Sequence, residues 1–308
     1  MPVPVDGLRP QQGAPHAALL GIGTYRPSRV VPNSEVVGAI DSSDEWIRQR
    51  SGIESRRWAT PEETVQVMAV GAARQALERA GLDPRQVDCV VVATVSHFLQ
   101  TPALATAVAH ELGTDQAAAY DVSAACAGFC HGIALASDMV RAGSAGHVLV
   151  IGVEKLSEMT DPTDRGTAFI FADGAGAAVV GPSETPGIGP VVWGSDGEQF
   201  DLIRNCEDWR DVLVQALDRA GLAVEDLDCF VPHQANMRIT DAMARSMKLP
   251  DTVRIARDIV DQGNTSAASI PLALDRMVDE GQARPGDTAL LIAFGAGLAY
   301  AAQVVVVP

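Results

Sequence analysis

The chain repeats itself, and the repeat limits what it can fold into. Ala76-Leu-Glu-Arg-Ala-Gly-Leu-Asp-Pro-Arg-Gln-Val-Asp-Cys-Val-Val returns 140 residues later as Ala216-Leu-Asp-Arg-Ala-Gly-Leu-Ala-Val-Glu-Asp-Leu-Asp-Cys-Phe-Val. Each copy reads as a helix end, a glycine stop, a short loop and a buried strand. A second echo sets Leu135-Ala-Ser-Asp-Met-Val and the strand Val148-Leu-Val-Ile-Gly against Ala273-Leu-Asp-Arg-Met-Val and Ala289-Leu-Leu-Ile-Ala-Phe-Gly. Superposing Met139-Val140 on Met277-Val278 fixes an offset of 138, which puts Asn264 opposite Cys126. Two similar α/β halves are therefore expected, bringing equivalent strand-to-helix corners to a shared centre. The continuous apolar runs 90–95, 148–153 and 289–294 predict strands buried on both faces, so helices should cover the sheets.

Composition removes several function classes. A 308-residue chain that is 47% hydrophobic can bury one large core or two medium ones. No apolar run approaches the roughly 18–20 residues of a membrane span. The start, with Pro2, Pro4, Asp6, Arg9 and Pro10, lacks the hydrophobic stretch of a signal peptide, so a cytosolic (cytoplasmic) protein without membrane association is expected. Five cysteines (89, 126, 130, 206, 229) with no CxxC pair and no clustered His indicate neither a disulfide framework nor a metal site. A formal charge of −16 argues against a nucleic-acid partner. Residues 238–258 run against that average, with Arg238, Arg245, Lys248, Arg254 and Arg257 facing Asp241, Asp251 and Asp258. Gly174-Ala-Gly176 and Gly21-Ile-Gly23 both fail the dinucleotide fingerprint and read as close backbone packing.

Cys126 is the expected reactive atom. It stands in Asp121-Val-Ser-Ala-Ala-Cys-Ala-Gly-Phe, where an apolar strand gives way to helical spacing at Phe129, Ile133, Leu135, Ala136, Met139 and Val140. A thiol there faces unpaired N–H groups and the positive end of a helix dipole, which favours the thiolate. In the second half, the repeat strand ends in Phe230-Val-Pro-His-Gln-Ala-Asn, so His233 sits at a strand end, where α/β folds place ligand-facing groups. His16, His110 and His147 lie in polar or terminal contexts, while His97 and His131 are harder to dismiss. Asn264, in Asp261-Gln-Gly-Asn-Thr-Ser-Ala-Ala-Ser-Ile-Pro, reads either as a helix N-cap or, from the repeat, as the counterpart of the cysteine. A neutral Asn donor beside a His N–H can stabilise an enolate oxygen without adding a competing negative charge.

Several motifs in order resemble beta-ketoacyl-acyl-carrier-protein synthase III. They are Ala-Ala-Cys-Ala-Gly-Phe around Cys126, Pro-His-Gln-Ala-Asn around His233, Gly-Asn-Thr-Ser-Ala-Ala-Ser around Asn264, Asp161-Pro-Thr-Asp-Arg-Gly-Thr and Phe171-Ala-Asp-Gly-Ala-Gly-Ala. Ser42-Ser-Asp-Glu-Trp-Ile, Arg50-Ser-Gly-Ile and Phe294-Gly-Ala-Gly-Leu extend the likeness from about residue 17 to the C-terminus. The actinobacterial form is the most similar. The resemblance implies an α/β, thiolase-like fold with two duplicated halves, 17–185 and 186–308, packed as a five-layered αβαβα core in a homodimer. It implies that Cys126 takes an acyl group from a short acyl-CoA, that malonyl-acyl-carrier protein enters next, and that His233 and Asn264 hold its thioester oxygen as carbon dioxide leaves. The backbone N–H groups of Cys126 and Ala296 would form the oxyanion hole. Trp46, Arg50, Arg165 and Asn236 would bind CoA, Ile170 and Phe171 would line the acyl pocket, and Gln100 to Pro102 would reach the partner subunit. Arg238, Arg245 and Lys248 would dock the acidic carrier protein. No metal or redox cofactor is implied, acyl-CoA being a substrate.

One departure from the family pattern stands out. Between Trp193-Gly-Ser-Asp-Gly and the helix ending at Gly221, members carry tens of residues more, including a loop over the active-site tunnel. Either the lid is trimmed around residues 197–212, or a mobile segment is missing from the sequence. Three other readings bear on function. Related enzymes that pass the acyl group to an alcohol or amine often replace the Asn, so Asn264 argues for decarboxylation. A plant-type polyketide synthase is much longer, and a non-catalytic partner subunit would lack the nucleophile that Cys126 supplies.

Overall fold

The computed structural model describes residues 11–114, 116–199 and 209–308. In chain order the elements are β1 (His16–Tyr25), β2 (Arg29–Pro32), α1 (Asn33–Val36), α2 (Asp44–Ser51), β3 (Ser55–Trp58), α3 (Val65–Ala80), β4 (Cys89–Ala93), α4 (Leu104–Leu112) and β5 (Ala118–Val122). Next come α5 (Gly128–Ala142), β6 (Val148–Lys155), β7 (Asp173–Ser183), β8 (Val192–Ser195), α6 (Trp209–Ala220) and β9 (Cys229–Pro232). The chain finishes with α7 (Met237–Met247), β10 (Arg254–Ile255), α8 (Ile259–Gln262), α9 (Ser269–Asp279), β11 (Thr288–Gly295) and β12 (Ala299–Val306).

The repeat is visible in the sheets. One has the order β1-β7-β6-β4-β5; the other, read in the same sense, is β8-β12-β11-β9-β10. Each strand of the first has a counterpart in the second, down to register. In the parallel pair β4–β6, Cys89 faces Val148, and in β9–β11, Cys229 faces Ala289. The helices preceding β4 and β9 stop at Gly81 and Gly221, whose φ values of 66° and 72° suit a residue without a side chain.

Strand alternation builds the layers. In β4, Cys89 and Val91 point into a central cluster, while Val90 and Val92 point outward against α3 and α4. In β11, Ala289, Leu291 and Ala293 point into that same cluster, and Leu290 and Ile292 face a third cluster with Leu213 and Leu217 of α6 and Met243 and Met247 of α7. The central layer is α5 and α9, contributing Ile133, Ala136, Ile270, Leu274 and Met277. The result is five layers, αβαβα. With each fully buried Val, Leu or Ile contributing about 1.5–3 kcal/mol, covering both sheet faces explains why these strands read as unbroken apolar runs.

A smaller cap beside the first sheet holds β2, β3, α1 and α2 around Val31, Ile47 and Ile53, and it also takes in Phe169, Met237 and Ile259. Arg56, fully buried there, donates to the Val31 and Phe169 carbonyls and to Asn33 Oδ1. Part of the expected short segment, residues 200–208, lies outside the described residues; the following helix has 12 residues against 16 in α3.

Candidate active site

Two short 3-10 turns, at Ala125–Ala127 and Ser266–Ala268, form the corners that lead into α5 and α9. Their backbones match residue for residue. Ala124 has φ −141°, ψ 28° and Thr265 has φ −104°, ψ 25°, while the residues entering the two helices, Ala127 and Ala268, have φ −82° and −79°. Ala125 and Ser266 are both left-handed, with φ 44° and 47°, a conformation disfavoured for residues other than glycine and here imposed twice. This pairing sets the offset at 141, not the 138 given by Met139 and Met277. The reason is that α5 has 15 residues and α9 has 11, so registers aligned late in the helices slip before the corner. The structural counterpart of Cys126 is Ala267, and Asn264 lies three residues ahead of it.

Each corner is pressed against the central strand of the other half. A Cβ on Gly295, at the end of β11, would stand 2.5 Å from the Ala124 carbonyl oxygen and 3.1 Å from Cys126 N. A Cβ on Gly152, in β6, would collide with the Ala267 carbonyl. The turn containing Ala296 therefore begins against the nucleophile's backbone N–H.

One segment, Asn264 to Ser269, adjoins all the expected catalytic groups. Asn264 is tied down by its backbone, donating to the Ile170 carbonyl at 2.9 Å and accepting from Ala172 N at 2.9 Å. Its Oδ1 accepts from Ser266 N at 2.8 Å, leaving the amide NH2 as the free donor. The turn Ser266–Ala268 packs against the turn Ala125–Ala127 that carries Cys126. Ser269 Oγ lies 2.6 Å from His233 Nδ1 and accepts from Gln234 N, so its hydrogen is available to Nδ1, and the ring proton is assigned to Nε2. His233 itself follows β9 and is held by its N–H to the Ile292 carbonyl at 2.7 Å. Ile170 and Phe171 adjoin Asn264 through backbone contacts, Phe171 as a β-bridge partner.

Burial dominates the electrostatics. It pushes the Cys126 thiol up to about 11, ahead of the lowering by the Ser266 hydrogen bond, and Glu154 nearby adds to the rise. Cys126 sits in the 3-10 turn that leads into the N-terminus of α5. Burial also drives His233 down to about 4, so its imidazole is neutral at ordinary pH. Glu154, at the end of β6, is pushed up to about 7 by burial against the lowering effect of the Ser96, Val95, Ser266 and Thr94 hydrogen bonds. Sequence reasoning missed Glu154, Ser266 and Ser269. An acidic residue closing an otherwise apolar strand, Val148-Leu-Val-Ile-Gly-Val-Glu, was the available signal for the first.

A surface pocket at the cap carries the expected CoA residues together: Trp46, Arg50, Arg165, Gly166, Phe169, Asn236 and Arg238. Ser43 caps α2 by accepting from Trp46 N, which fixes Trp46 in the first turn. Asp164 accepts from Gly166 N and Thr167 Oγ1, shaping the turn that presents Arg165. The guanidinium carbons of Arg50 and Arg165 lie 5.2 and 5.1 Å from the Trp46 ring centroid, and Phe169, missed from sequence, meets that ring edge-on at 5.2 Å. Asn236 caps α7 and donates to the Arg50 carbonyl. A second pocket continues over Asn236, Arg238, Asp241, Ala242 and Arg245. Arg238, Arg245 and Lys248 are exposed, whereas Arg254 pairs with Asp228 and Asp287 and Arg257 with Asp241. The basic patch thus narrows to three residues on and after α7. His131, the other notable histidine, stacks on Trp193 at 5.6 Å. Among the described residues, no helix is long and apolar enough to cross a membrane.

Two family models match: 3-oxoacyl-[acyl-carrier-protein (ACP)] synthase III over residues 120–197 and its C-terminal counterpart over 217–307. Beta-ketoacyl-[acyl-carrier-protein] synthase III 1 of Streptomyces coelicolor is 53% identical over 340 residues, covering 98% of this chain and 99% of that protein. An alignment longer than the 308-residue chain means the relative carries tens of residues without a counterpart here. The mycobacterial beta-ketoacyl-[acyl-carrier-protein] synthase III of Mycobacterium avium is 50% identical, covering 96% and 97%. Among solved structures, the priming beta-ketosynthase of the R1128 polyketide pathway superposes with TM-score 0.94 at 47% identity, covering 98% and 99%. The 3-oxoacyl-[acyl-carrier-protein] synthase III of Aquifex aeolicus VF5 gives 0.90 at 36% identity, covering 94% and 99%.

Proposed function

The chain belongs to the 3-oxoacyl-[acyl-carrier-protein] synthase III family, and from that premise we propose how its residues perform the initiating condensation of fatty-acid synthesis. The enzyme is a condensing acyltransferase. It joins a short acyl-CoA to malonyl-acyl-carrier protein with loss of carbon dioxide, giving a beta-ketoacyl-acyl-carrier protein. Cys126 attacks the acyl-CoA thioester, and the backbone N–H groups of Cys126 and Ala296 receive the developing oxyanion. CoA departs past Trp46, Arg50, Arg165 and Asn236. Malonyl-acyl-carrier protein then docks through Arg238, Arg245 and Lys248, whose local positive charge lets a protein of charge −16 meet an acidic partner. Decarboxylation leaves an enolate whose oxygen takes the His233 Nε2–H and the Asn264 amide; its carbon attacks the acyl group, expelling Cys126. Ile170 and Phe171 border the acyl group.

The observation that carries this reading is the Asn264–Ser269 segment, which contains Asn264, packs its turn against the turn that carries Cys126 and meets His233 through Ser269. A neutral imidazole and a carboxamide suit an enolate formed next to a thioester, because neither adds a negative charge there. A cytosolic homodimer completes the proposal. It is supported by β5, at the end of the first sheet with Ala118 exposed and residues 119–122 only half-buried, and by the exposed Phe98 and Leu99 in the loop between β4 and α4. Light scattering on the purified protein should give twice the chain mass.

The likeness to the R1128 priming synthase favours a second reading, in which the same condensation supplies a polyketide starter. Intact-protein mass spectrometry with a panel of short acyl-CoAs, followed by malonyl groups on a fatty-acid or a polyketide carrier protein, tests both. A Cys126 adduct converted on the fatty-acid carrier supports the first reading, and conversion on the polyketide carrier alone supports the second. An adduct that resists both but transfers to an alcohol or amine would contradict condensation.

A further inference from the structure

A neutral imidazole carries one N–H, and the nitrogen that holds it decides whether a substrate oxygen meets a donor or a lone pair. At His233 the backbone leaves little freedom. Its N–H goes to the Ile292 carbonyl at 2.7 Å, and its carbonyl accepts from Ala235 N at 2.9 Å. The next residue, Gln234, is buried and fastens the same segment to its surroundings: Nε2 donates to the Pro232 carbonyl at 2.7 Å, and Oε1 accepts from Ile259 N at 3.2 Å. What remains is rotation of the ring itself. A half-turn exchanges Nδ1 with Cδ2 and Nε2 with Cε1, so the ring's partner on the Nδ1 side governs where the other nitrogen points.

That partner is Ser269. Its Oγ lies 2.6 Å from His233 Nδ1 and accepts from Gln234 N at 3.3 Å, and both side chains are buried. A helical hydroxyl commonly gives its proton to the carbonyl four residues back, as Ser51 of α2 does to Ile47 at 2.7 Å. Ser269 is the first residue of α9, and among the described residues its hydroxyl makes no such bond, which leaves Nδ1 as the acceptor for its proton. We propose that Ser269 is a positioning residue for the condensation half-reaction: by donating to Nδ1 it keeps the His233 proton on Nε2, toward the enolate oxygen, and holds the ring against a flip. This role rests on the condensing reading above.

No proton changes hands through Ser269. As the bond to the departing carbon dioxide breaks, its electron pair moves into the enolate, and charge builds on the thioester oxygen. The Nε2–H and the Asn264 amide meet that charge as hydrogen-bond donors. The opposite tautomer would turn the Nε2 lone pair toward the same oxygen, replacing a hydrogen bond by a repulsion. Acylation of Cys126 uses neither ring nitrogen, since the backbone N–H groups of Cys126 and Ala296 receive the oxyanion there. Losing the Ser269 hydroxyl should therefore be felt after the acyl-enzyme has formed and not before.

The test uses the full chain with its histidines labelled with nitrogen-15. Long-range proton–nitrogen correlation spectra at neutral pH, with the His233 signals identified by their absence in His233→Gln, should show the Nε2–H pattern in wild type and in Ser269→Thr, and a mixture with Nδ1–H in Ser269→Ala. The same preparations are assayed by intact mass for acyl transfer from acetyl-CoA and by labelled carbon dioxide release from malonyl-acyl-carrier protein. Ser269→Ala should lower kcat for carbon dioxide release about 10- to 100-fold, the scale of losing the group that orients a functional histidine. Acylation and KM for malonyl-acyl-carrier protein should stay within a few-fold of wild type, and Ser269→Thr, which keeps the hydroxyl, should return part of the loss. A hydroxyl that only fills the start of α9 would leave carbon dioxide release in Ser269→Ala at the wild-type rate, or lower both half-reactions together with the His233 tautomer unchanged; either result overturns the role of Ser269. A wild-type spectrum showing Nδ1–H overturns it as well, which keeps the test decisive if Ser269→Ala fails to fold. Wild-type protein that releases no carbon dioxide from malonyl-acyl-carrier protein would sink the condensing reading itself, whereas normal condensation in both wild type and Ser269→Ala sinks the role of Ser269 alone.

Discussion

The two corners of this molecule share a backbone and divide the chemistry. At the first, Ala125-Cys126-Ala127 presents a nucleophile; at the second, Ser266-Ala267-Ala268 presents a hydroxyl, with Asn264 ahead of it and Ser269 behind. Both hold a non-glycine residue at φ near 45°, and both are clamped by the opposite sheet, through Gly295 at the first and Gly152 at the second. The backbone geometry therefore belongs to the duplicated fold, and function resides in the side chains placed on it. One corner makes and holds the acyl group while the other handles the enolate, so a change at either should damage one half-reaction more than the other.

The largest effect falls on the sulfur. Cys126→Ala should give no acyl adduct by intact mass and lower condensation by about 10⁴-fold or more, the scale of a removed nucleophile. Condensation surviving in that variant would dissolve the division of labour.

Moving each clamp in turn sharpens the comparison. Gly295→Ala drives a methyl into the Ala124 carbonyl and Cys126 N, and Gly152→Ala drives one into the Ala267 carbonyl. Each should cost about 1–3 kcal/mol by overpacking. Gly295→Ala should slow acylation about 10- to 100-fold, and Gly152→Ala should weigh more on carbon dioxide release. Equal losses in both steps from both variants would mean that the corners do not act separately.

His233 offers a stability measurement. Its folded value, lowered by burial to about 4, lies below the ordinary 6.5, so its contribution is intact above pH 6.5 and lost as pH falls from there toward 4, where the unfolded chain takes up the proton first. Up to about 3 kcal/mol of acid sensitivity should trace to this ring. Urea unfolding at pH 7 and pH 4.5 should show a smaller drop for His233→Gln than for wild type.

The smallest effect lies outside both corners. Arg238→Glu and Arg245→Glu should raise KM for malonyl-acyl-carrier protein about 10-fold in low salt, less at high salt, and leave acylation by acyl-CoA nearly untouched. Steady-state kinetics with each substrate varied separately checks this.

Much of the architecture was legible because the repeat carried it: the glycine stops at 81 and 221, the paired strands at Cys89 and Cys229, and the double-faced apolar runs all lie in short stretches of sequence. Register at the corner was not, since helices of unequal length intervene between Met139 or Met277 and the turns. Cys126, His233 and Asn264 stood out by motif, but the raised thiol did not, because its cause is burial by the other half of the chain. Glu154 was hidden because its partners Thr94, Val95 and Ser96 lie 58–60 residues earlier, at the end of another strand, and single residues in a sequence do not announce such partners.

The most direct test of the divided centre is one preparation of Asn264→Ala assayed twice, by intact mass for acyl transfer from acyl-CoA and by labelled carbon dioxide release from malonyl-acyl-carrier protein. The account predicts acylation within a few-fold of wild type and carbon dioxide release lowered about 100-fold or more, the scale of a lost oxyanion donor. Carbon dioxide release at the wild-type rate, or a parallel collapse of both steps in a folded protein, would contradict it.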